Sequence, residues 1–319
     1  MKKIISIIMA MLFVSVMFVS CGKTEKKAGN VNVSVLNGTT GFGMAWLMEE
    51  SANDRSSNKY TFNVESDASL ISAALINGSV DIAALPTNAA SNLYVKTKGG
   101  VQILAINTLG VLYVVENGNT VTKLSDLEGK TIYCPAQNPK FILEYILKKN
   151  NIKATIDTTY SAPADLRMAV ASGKVSLAVL PEPMVTIAKS ANKSLVTALD
   201  LTEEWSKIDG ASALVQGCVV VRTEFAKNYP DSVSSFLDEY KKSIEYTNTN
   251  PKETGELIAK YNVFAKAAIA TKAIPNCNIA FMDGKDMKDA MSKFIDAMYS
   301  VNPASVGGSI PDDDFYYLK

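Results

Sequence analysis

The hydrophobic and polar positions of the chain trace one local pattern twice. Ile71–Asn88 reads ISAALINGSVDIAALPTN, and Leu166–Pro183 reads LRMAVASGKVSLAVLPEP. At a constant offset of 95 residues, without a gap, Ile71 aligns with Leu166, Ala74 with Ala169, Leu75 with Val170, Ile82 with Leu177, Leu85 with Leu180 and Pro86 with Pro181. In the first copy, apolar residues at i, i+3 and i+4 (Ile71, Ala74, Leu75) mark the buried face of a helix, and the second copy repeats them. Asn77-Gly78 and Ser172-Gly173 end the two helices, because Gly takes the left-handed conformation at C′ without steric cost. The runs that follow, Asp81–Leu85 and Ser176–Leu180, read as strands covered on both faces in a parallel sheet. Pro86 and Pro181 stop them, having no N–H for the ladder. Ligands of open α/β sheets bind beyond the carboxyl ends of the strands. The pattern therefore predicts two rims, Pro86-Thr87-Asn88 and Pro181-Glu182-Pro183, on two similar units.

The rest of the chain builds around these copies. Val31–Leu36 alternates as a strand does, Asn37–Gly43 is a Gly-rich turn, and Met44–Ser51 continues as a helix. Such a turn presents backbone N–H groups at a helix start, where an anion or a carbonyl can dock. No Lys follows Gly43 and no GxGxxG is present, which argues against a nucleotide loop. Tyr60–Glu65 is a strand before the first copy; a helix at Ala89–Lys96 and a strand at Val101–Asn107 follow it. In the second half, Leu109–Glu116 and Thr131–Cys134 are strands, Pro135–Pro139 a turn and Phe141–Asn150 a helix. That unit takes the place that Val33–Ser51 has in the first half. Lys153–Tyr160 is extended, Met184–Ser190 helical and Leu195–Leu199 a strand. Val215–Arg222 is strongly β and returns the chain to the first unit. Beyond Thr223 only helices are predicted: Phe225–Tyr229, Val233–Thr247, Pro251–Tyr261, Ala265–Ala273 and Lys285–Val301. Asp231 or Ser232, and Asn250, are the expected N-caps. The final SIPDDDFYYLK reads as a tail with a docked aromatic end.

Length and composition add compartment to this picture. A chain of 319 residues suggests about two domains. The 32 basic and 32 acidic residues balance, and without Lys2 and Lys3 there is no basic surplus to engage nucleic acid. Met1–Ser20 has a basic start and an apolar run from Ile4 to Val19, the form of a secretory signal. Phe18-Val19-Ser20-Cys21-Gly22 resembles a bacterial lipobox with Cys21 as the lipidated residue, although Phe18 replaces the usual Leu. Residues 21–30 are polar and charged and read as a tether. The chain has no His, and Cys134, Cys218 and Cys277 are isolated from one another, so no metal site is expected. Three cysteines cannot all pair internally; buried free thiols are the preferred reading, with one disulfide left open.

Together the lipoprotein signal, the GTTGFG turn at Gly38–Gly43, DLEGKTI at Asp126–Ile132, DIAALP at Asp81–Pro86 and LPEPM at Leu180–Met184 resemble the solute-binding proteins of ABC importers. The resemblance is to the nitrate/sulfonate/taurine and thiamine-precursor group and covers about Val31–Val301. It implies an α/β fold of the type II periplasmic-binding-protein kind: two lobes, each a mixed sheet flanked by helices, and a helical C-terminal third. Lobe 1 would be residues 31–107 plus 217–319 and lobe 2 residues 108–216. The crossovers would hinge near Asn107–Gly110 and Val215–Gly217.

Carried over from the family, the ligand contacts fall on Thr39, Thr40, Gly41 and Phe42, on Pro86, Thr87 and Asn88, on Gln137 and Asn138, and on Glu182. Asn276 and Asn278 would line the cleft from the C-terminal third. Phe42 is the preferred stacking residue because it sits in the turn. Glu182 would accept hydrogen bonds from ligand or from the opposite lobe. Oxyanions attract Arg, and Arg55, Arg167 and Arg222 all lie outside the rim loops. This favours a neutral or aromatic solute over nitrate or sulfonate. The implied function is delivery of a small solute to ABC permease subunits by cleft closure, from the extracytoplasmic face of a membrane, with no cofactor and no catalytic residue. The alternatives are an enzyme on the same fold, of thiamine-pyrimidine synthase or deaminase type, and a surface ligand sensor. The absence of His, of a paired catalytic Cys and of a metal cluster weighs against the enzyme.

Overall fold

The computed structural model describes residues 29–318; the signal segment, Cys21 and most of the tether lie outside the described residues. The first part of the chain runs β1 (Asn30–Leu36), α1 (Thr39–Phe42), α2 (Ala45–Ala52), β2 (Lys59–Glu65), α3 (Ala68–Asn77), β3 (Ile82–Pro86), α4 (Thr87–Thr97) and β4 (Val101–Thr108). It continues with β5 (Leu112–Glu116), β6 (Thr131–Tyr133), α5 (Asn138–Lys149), β7 (Thr155–Asp157), α6 (Pro163–Ala171), β8 (Leu177–Pro181), α7 (Met184–Ala191), β9 (Val196–Asp200) and α8 (Leu201–Ser206). The last third holds β10 (Gly217–Arg222), α9 (Thr223–Asn228), α10 (Pro230–Thr249), α11 (Pro251–Lys260), α12 (Ala267–Ala273), β11 (Ile279–Met282) and α13 (Gly284–Val301).

These strands form two mixed sheets, one per lobe, of orders β11-β4-β10-β3-β1-β2 and β7-β6-β8-β5-β9. The orders correspond strand for strand: β2, β1, β3, β10, β4 against β7, β6, β8, β5, β9. In each sheet the repeated strand, β3 or β8, has one parallel neighbour (β1, β6) and one antiparallel neighbour (β10, β5). The fully parallel setting expected from the apolar runs is thus corrected on one side. Burial decides the hydrophobic pattern, and both settings cover the strand equally; the four residues before each terminal Pro are buried. The two helix-ending glycines are left-handed, Gly78 at φ 79° and Gly173 at φ 77°.

The antiparallel strand of each sheet is the first strand after a crossover. The chain leaves β4 at its carboxyl end and enters β5 from the same side, so both crossovers lie along the strand-end rims. Gly217 pairs with Pro86 and with Thr108, and Leu112 pairs with Pro181. Gly110 and Gly217 are not in the left-handed region; close approach explains them. A Cβ on Gly110 would lie 2.2 Å from Thr202 Oγ1, and one on Gly217 2.6 Å from Asn107 Oδ1.

The C-terminal third departs from the all-helical expectation. β11 pairs antiparallel with β4 at the edge of the first sheet. Four residues carry too little alternation to reveal a strand that only its neighbour makes. α10 starts at Pro230 with Tyr229 as N-cap, not Asp231 or Ser232, since proline needs no N–H partner at the first turn. Asn250 is the N-cap residue of α11, but its side chain donates back to Tyr246 O in the last turn of α10 and does not cap α11. The aromatic tail docks as expected: Phe315 is buried, and Tyr317 N donates to Ile103 O at 3.0 Å.

One hydrophobic core runs from α3, α4 and β4 of the first lobe through α13 to β6, α5 and α8 of the second. A second core lies on the other face of the first sheet, beneath α2, α10 and α12. The cysteines at 134, 218 and 277 are buried free thiols.

Candidate functional site

The first rim is assembled by Asn107, which the sequence marked only as the start of a crossover. Its amide nitrogen donates to Thr40 O at 2.9 Å and to the Tyr240 hydroxyl at 2.9 Å, holding the α1 turn against β4. Thr39 and Thr40 are half-buried at this turn, and Asn88 is half-buried in the first turn of α4 beside the half-buried Pro86. Three expected contacts are corrected. Phe42 is fully buried in the core of the first lobe, edge-on to Phe264 at 6.1 Å between ring centroids, so it does not stack in the cleft. The turn coils into a short helix, which directs residue 42 inward. Gly41 is buried and its N–H is spent on Gly38 O. Thr87 is buried, and its hydroxyl donates to Val215 O at 3.2 Å, tying the rim to the returning crossover.

The second rim carries Gln137 and Asn138 at the start of α5. Gln137 is exposed with a positive φ (64°) as N-cap, and Asn138 follows in the first turn. Asn138 is 9% exposed, and its Oδ1 is buried without a hydrogen-bond partner among the described residues. A buried acceptor left open is costly, so a donor supplied from outside the chain would be stabilising there. Glu182 is 4% exposed. Its carboxyl group accepts from Thr186 N at 3.1 Å and Thr186 Oγ1 at 3.0 Å, closing the first turn of α7. Burial raises its pKa above the ordinary value, against the opposing pull of the Thr186 bonds, Lys189 and Asn276.

The C-terminal third reaches this rim through residues 276–278. The Tyr113 hydroxyl donates to Asn276 O at 2.8 Å, and Asn278 Nδ2 donates to Gly110 O at 2.5 Å. Burial, followed by the Asp200 and Glu182 charges, raises the Tyr113 pKa and keeps its phenol protonated as donor. Gln216 Oε1 accepts from Val111 N at 2.6 Å, joining the two crossovers. Gln216 escapes a sequence reading as a partner of the rims because its role exists only where the crossovers meet. Glu182 and Asn276 come together, with Tyr113, on a groove of about 580 Å³ between α7 and α12.

Arg55 pairs with Glu50 away from the rims, and Arg222 pairs with Asp81 at the opposite ends of β10 and β3. Among the described residues there is no group of His, Cys, Asp and Glu that could hold a metal ion, and no helix is long and apolar enough to cross a membrane.

Two sheets of matching strand order, joined by two crossovers at their strand ends, define the periplasmic-binding-protein class of fold. The chain belongs to the NMT1/THI5 like family, whose model matches residues 59–254. No curated protein matches it. Among solved structures, an ABC transporter from Parabacteroides distasonis is 27% identical, with a TM-score of 0.76, over 91% of this chain and 99% of that one. The periplasmic aliphatic sulphonate binding protein SsuA from Escherichia coli is 14% identical, with a TM-score of 0.68, over 85% and 87%. The periplasmic nitrate-binding protein NrtA from Synechocystis PCC 6803 is 12% identical, with a TM-score of 0.57, over 82% and 75%. These last two share the fold.

Proposed function

We propose that this protein is an extracytoplasmic solute-binding component of an ABC importer, without enzymatic activity, which captures a small molecule between its two rims and presents it to permease subunits. The observation that supports the reading is the pair of sheets of matching strand order, with Asn138 Oδ1 at the strand-end rim of the second buried and without a partner among the described residues. The likeness to the Parabacteroides distasonis transporter protein over nearly its whole length supports it. The lobes are residues 31–107 plus 217–319 and residues 108–216, closing about the crossovers. Thr39, Thr40, Pro86 and Asn88 face Gln137, Asn138, Glu182, Asn276 and Asn278 across the cleft. The rim threonines and amides suit a neutral, hydrogen-bonding or aromatic solute.

A thermal-shift screen of pyrimidines, aromatic acids and small anions would find the solute, because a tight ligand raises the melting temperature by mass action. With that solute, Asn138→Ala and Asn88→Ala are each expected to weaken binding by roughly threefold to a hundredfold in calorimetry. Arg55→Ala serves as the off-site control. Wild-type affinity in both rim variants would place the solute elsewhere.

Cys21 is the proposed lipid attachment site and holds the protein at the membrane. In fractionated cells Cys21→Ala is expected to move the protein out of the membrane fraction. Unchanged partition would sink the lipobox reading.

A further inference from the structure

The end of the first lobe away from the cleft is built on one row of residues. Asn32 on β1, Asp81 before β3, Arg222 at the end of β10 and Val101 at the start of β4 lie side by side. Asn32 N donates to Asp81 Oδ2, Arg222 N donates to Asp81 O, and Arg222 pairs with Val101 in the sheet. Four neighbouring strands span about 14 Å. β1 begins at this same end, one residue after Gly29, the first described residue. This base carries exposed apolar surface. A hollow of about 670 Å³ is lined by the buried Leu75 and Val101 and by Ile76, which is 52% exposed. Through Thr223 and Lys227 it runs on into a second hollow of about 560 Å³, where Ile310 is 49% exposed. Tyr229, 53% exposed, ends α9, the helix that carries Thr223 and Lys227. Three of the seven large apolar or aromatic side chains exposed among the described residues thus share one end of one lobe. Exposed Lys96, Lys98 and Lys227 flank the hollows, and none of them is in an ion pair among the described residues. The acidic residues there are Glu224, 3.3 Å from Arg222, Asp312, which accepts from the Tyr94 hydroxyl, and Asp314. Charge is close to balanced, and the apolar side chains give this surface its character.

We propose that this base rests on the bilayer surface, with Ile76, Tyr229 and Ile310 in the headgroup layer and the flanking lysines on lipid phosphates. The proposal rests on the reading of Cys21 as the lipid attachment site. From Cys21 to Gly29 the chain has eight residue steps (29 − 21), which reach at most about 28 Å. An anchored protein therefore holds the start of β1 close to the lipid, and the hollows lie at that end of the lobe. Isoleucine and tyrosine suit the boundary between headgroups and acyl chains. Lysine stems lie along apolar surface while their ammonium groups reach phosphate. The linking segment adds Lys23, Lys26 and Lys27 against Glu25, a surplus that anionic lipid attracts. The cleft rims lie at the opposite ends of the same strands. A base set on the membrane thus turns the cleft toward the extracytoplasmic solution, where solute arrives. A contact through three side chains is weak and reversible, so it also releases the protein for docking.

The test is flotation with vesicles of phosphatidylcholine and phosphatidylglycerol, about 7:3, using the chain from residue 21 with Cys21→Ser, so that no lipid is attached. At millimolar lipid the chain is expected to float with these vesicles, and less with phosphatidylcholine alone. Ile76→Ser combined with Ile310→Ser should lower the partition coefficient by about fivefold to thirtyfold. Met168→Ser, at a side chain 53% exposed on α6 of the second lobe, should leave it unchanged. Inorganic phosphate at constant ionic strength should not displace the chain. Absence of flotation, or full flotation of the double variant, would overturn the surface. An equal loss with Met168→Ser would put the contact on the other lobe and overturn it too. Displacement by inorganic phosphate would make the hollows a site for the free anion and overturn the bilayer as partner. Flotation of this chain, together with an unmodified Cys21 in cells, would remove the anchor and keep the surface. None of these results alters the solute-binding reading, which calorimetry tests separately.

Discussion

Trp205→Ala is expected to lower the free energy of unfolding by about 3–5 kcal/mol, the range for removing a large aromatic side chain from a packed interior. Trp205 is 1% exposed. Its ring lies 4.8 Å from that of Tyr145 on α5 and 5.9 Å from that of Phe294 on α13. Its Nε1 donates to Ser212 O at 2.8 Å, and the Ser212 hydroxyl donates to Ala290 O at 2.9 Å. One side chain thus joins α8 and α5 of the second lobe to the last long helix, which also packs on β4 of the first. Truncation leaves a cavity at that junction and an acceptor without its donor. Urea denaturation measures the loss, and a change under about 1 kcal/mol would contradict this role. Phe294→Ala in the same background should add less than its separate cost, because the two rings share one space.

Asp81→Ala should cost about 3 kcal/mol, near the lower end for breaking a buried ion pair from one side. Arg222 Nη2 lies 2.9 Å from Asp81 Oδ1, with side-chain exposures of 18% and 8%. The other carboxylate oxygen accepts from Asn32 N at 2.9 Å, and Arg222 Nε donates to Val80 O at 3.1 Å. The pair therefore locks β10 to the start of β3, at the end of the sheet away from the cleft. Without Asp81 the guanidinium keeps its bond to Val80 O, and the nearest carboxylate left to it is that of the exposed Glu224 at 3.3 Å. Removing the stranded cation as well, by Arg222→Met, should recover part of the loss. Melting curves at neutral pH decide this, and a single variant as stable as wild type would rule it out.

Local chemistry made much of this molecule readable in one dimension. The 95-residue repeat was legible because helix periodicity, a left-handed Gly and a strand-stopping Pro each act over a few neighbouring residues. Those rules placed α3 and β3, α6 and β8, and the approximate rims. Even the partial failure at the strands is instructive, since an apolar run reports burial on both faces and is silent about the direction of its neighbour. The tertiary structure alone decided the rest. Phe42 turned inward because α1 closes a helical turn against β4, through Asn107, a residue 65 positions beyond it. Thr87 became a tie to the crossover because Val215 happens to arrive beside it. β11 exists because β4 offers it an edge. Ile76 and Ile310 share one end of the first lobe because the C-terminal tail returns along α4, although more than 200 residues separate them. The sequence by itself determined the elements and their repeated order, through forces that act within a turn or a strand. Which side chains face one another across the lobes was decided only by packing between distant segments, whose contacts no local pattern encodes.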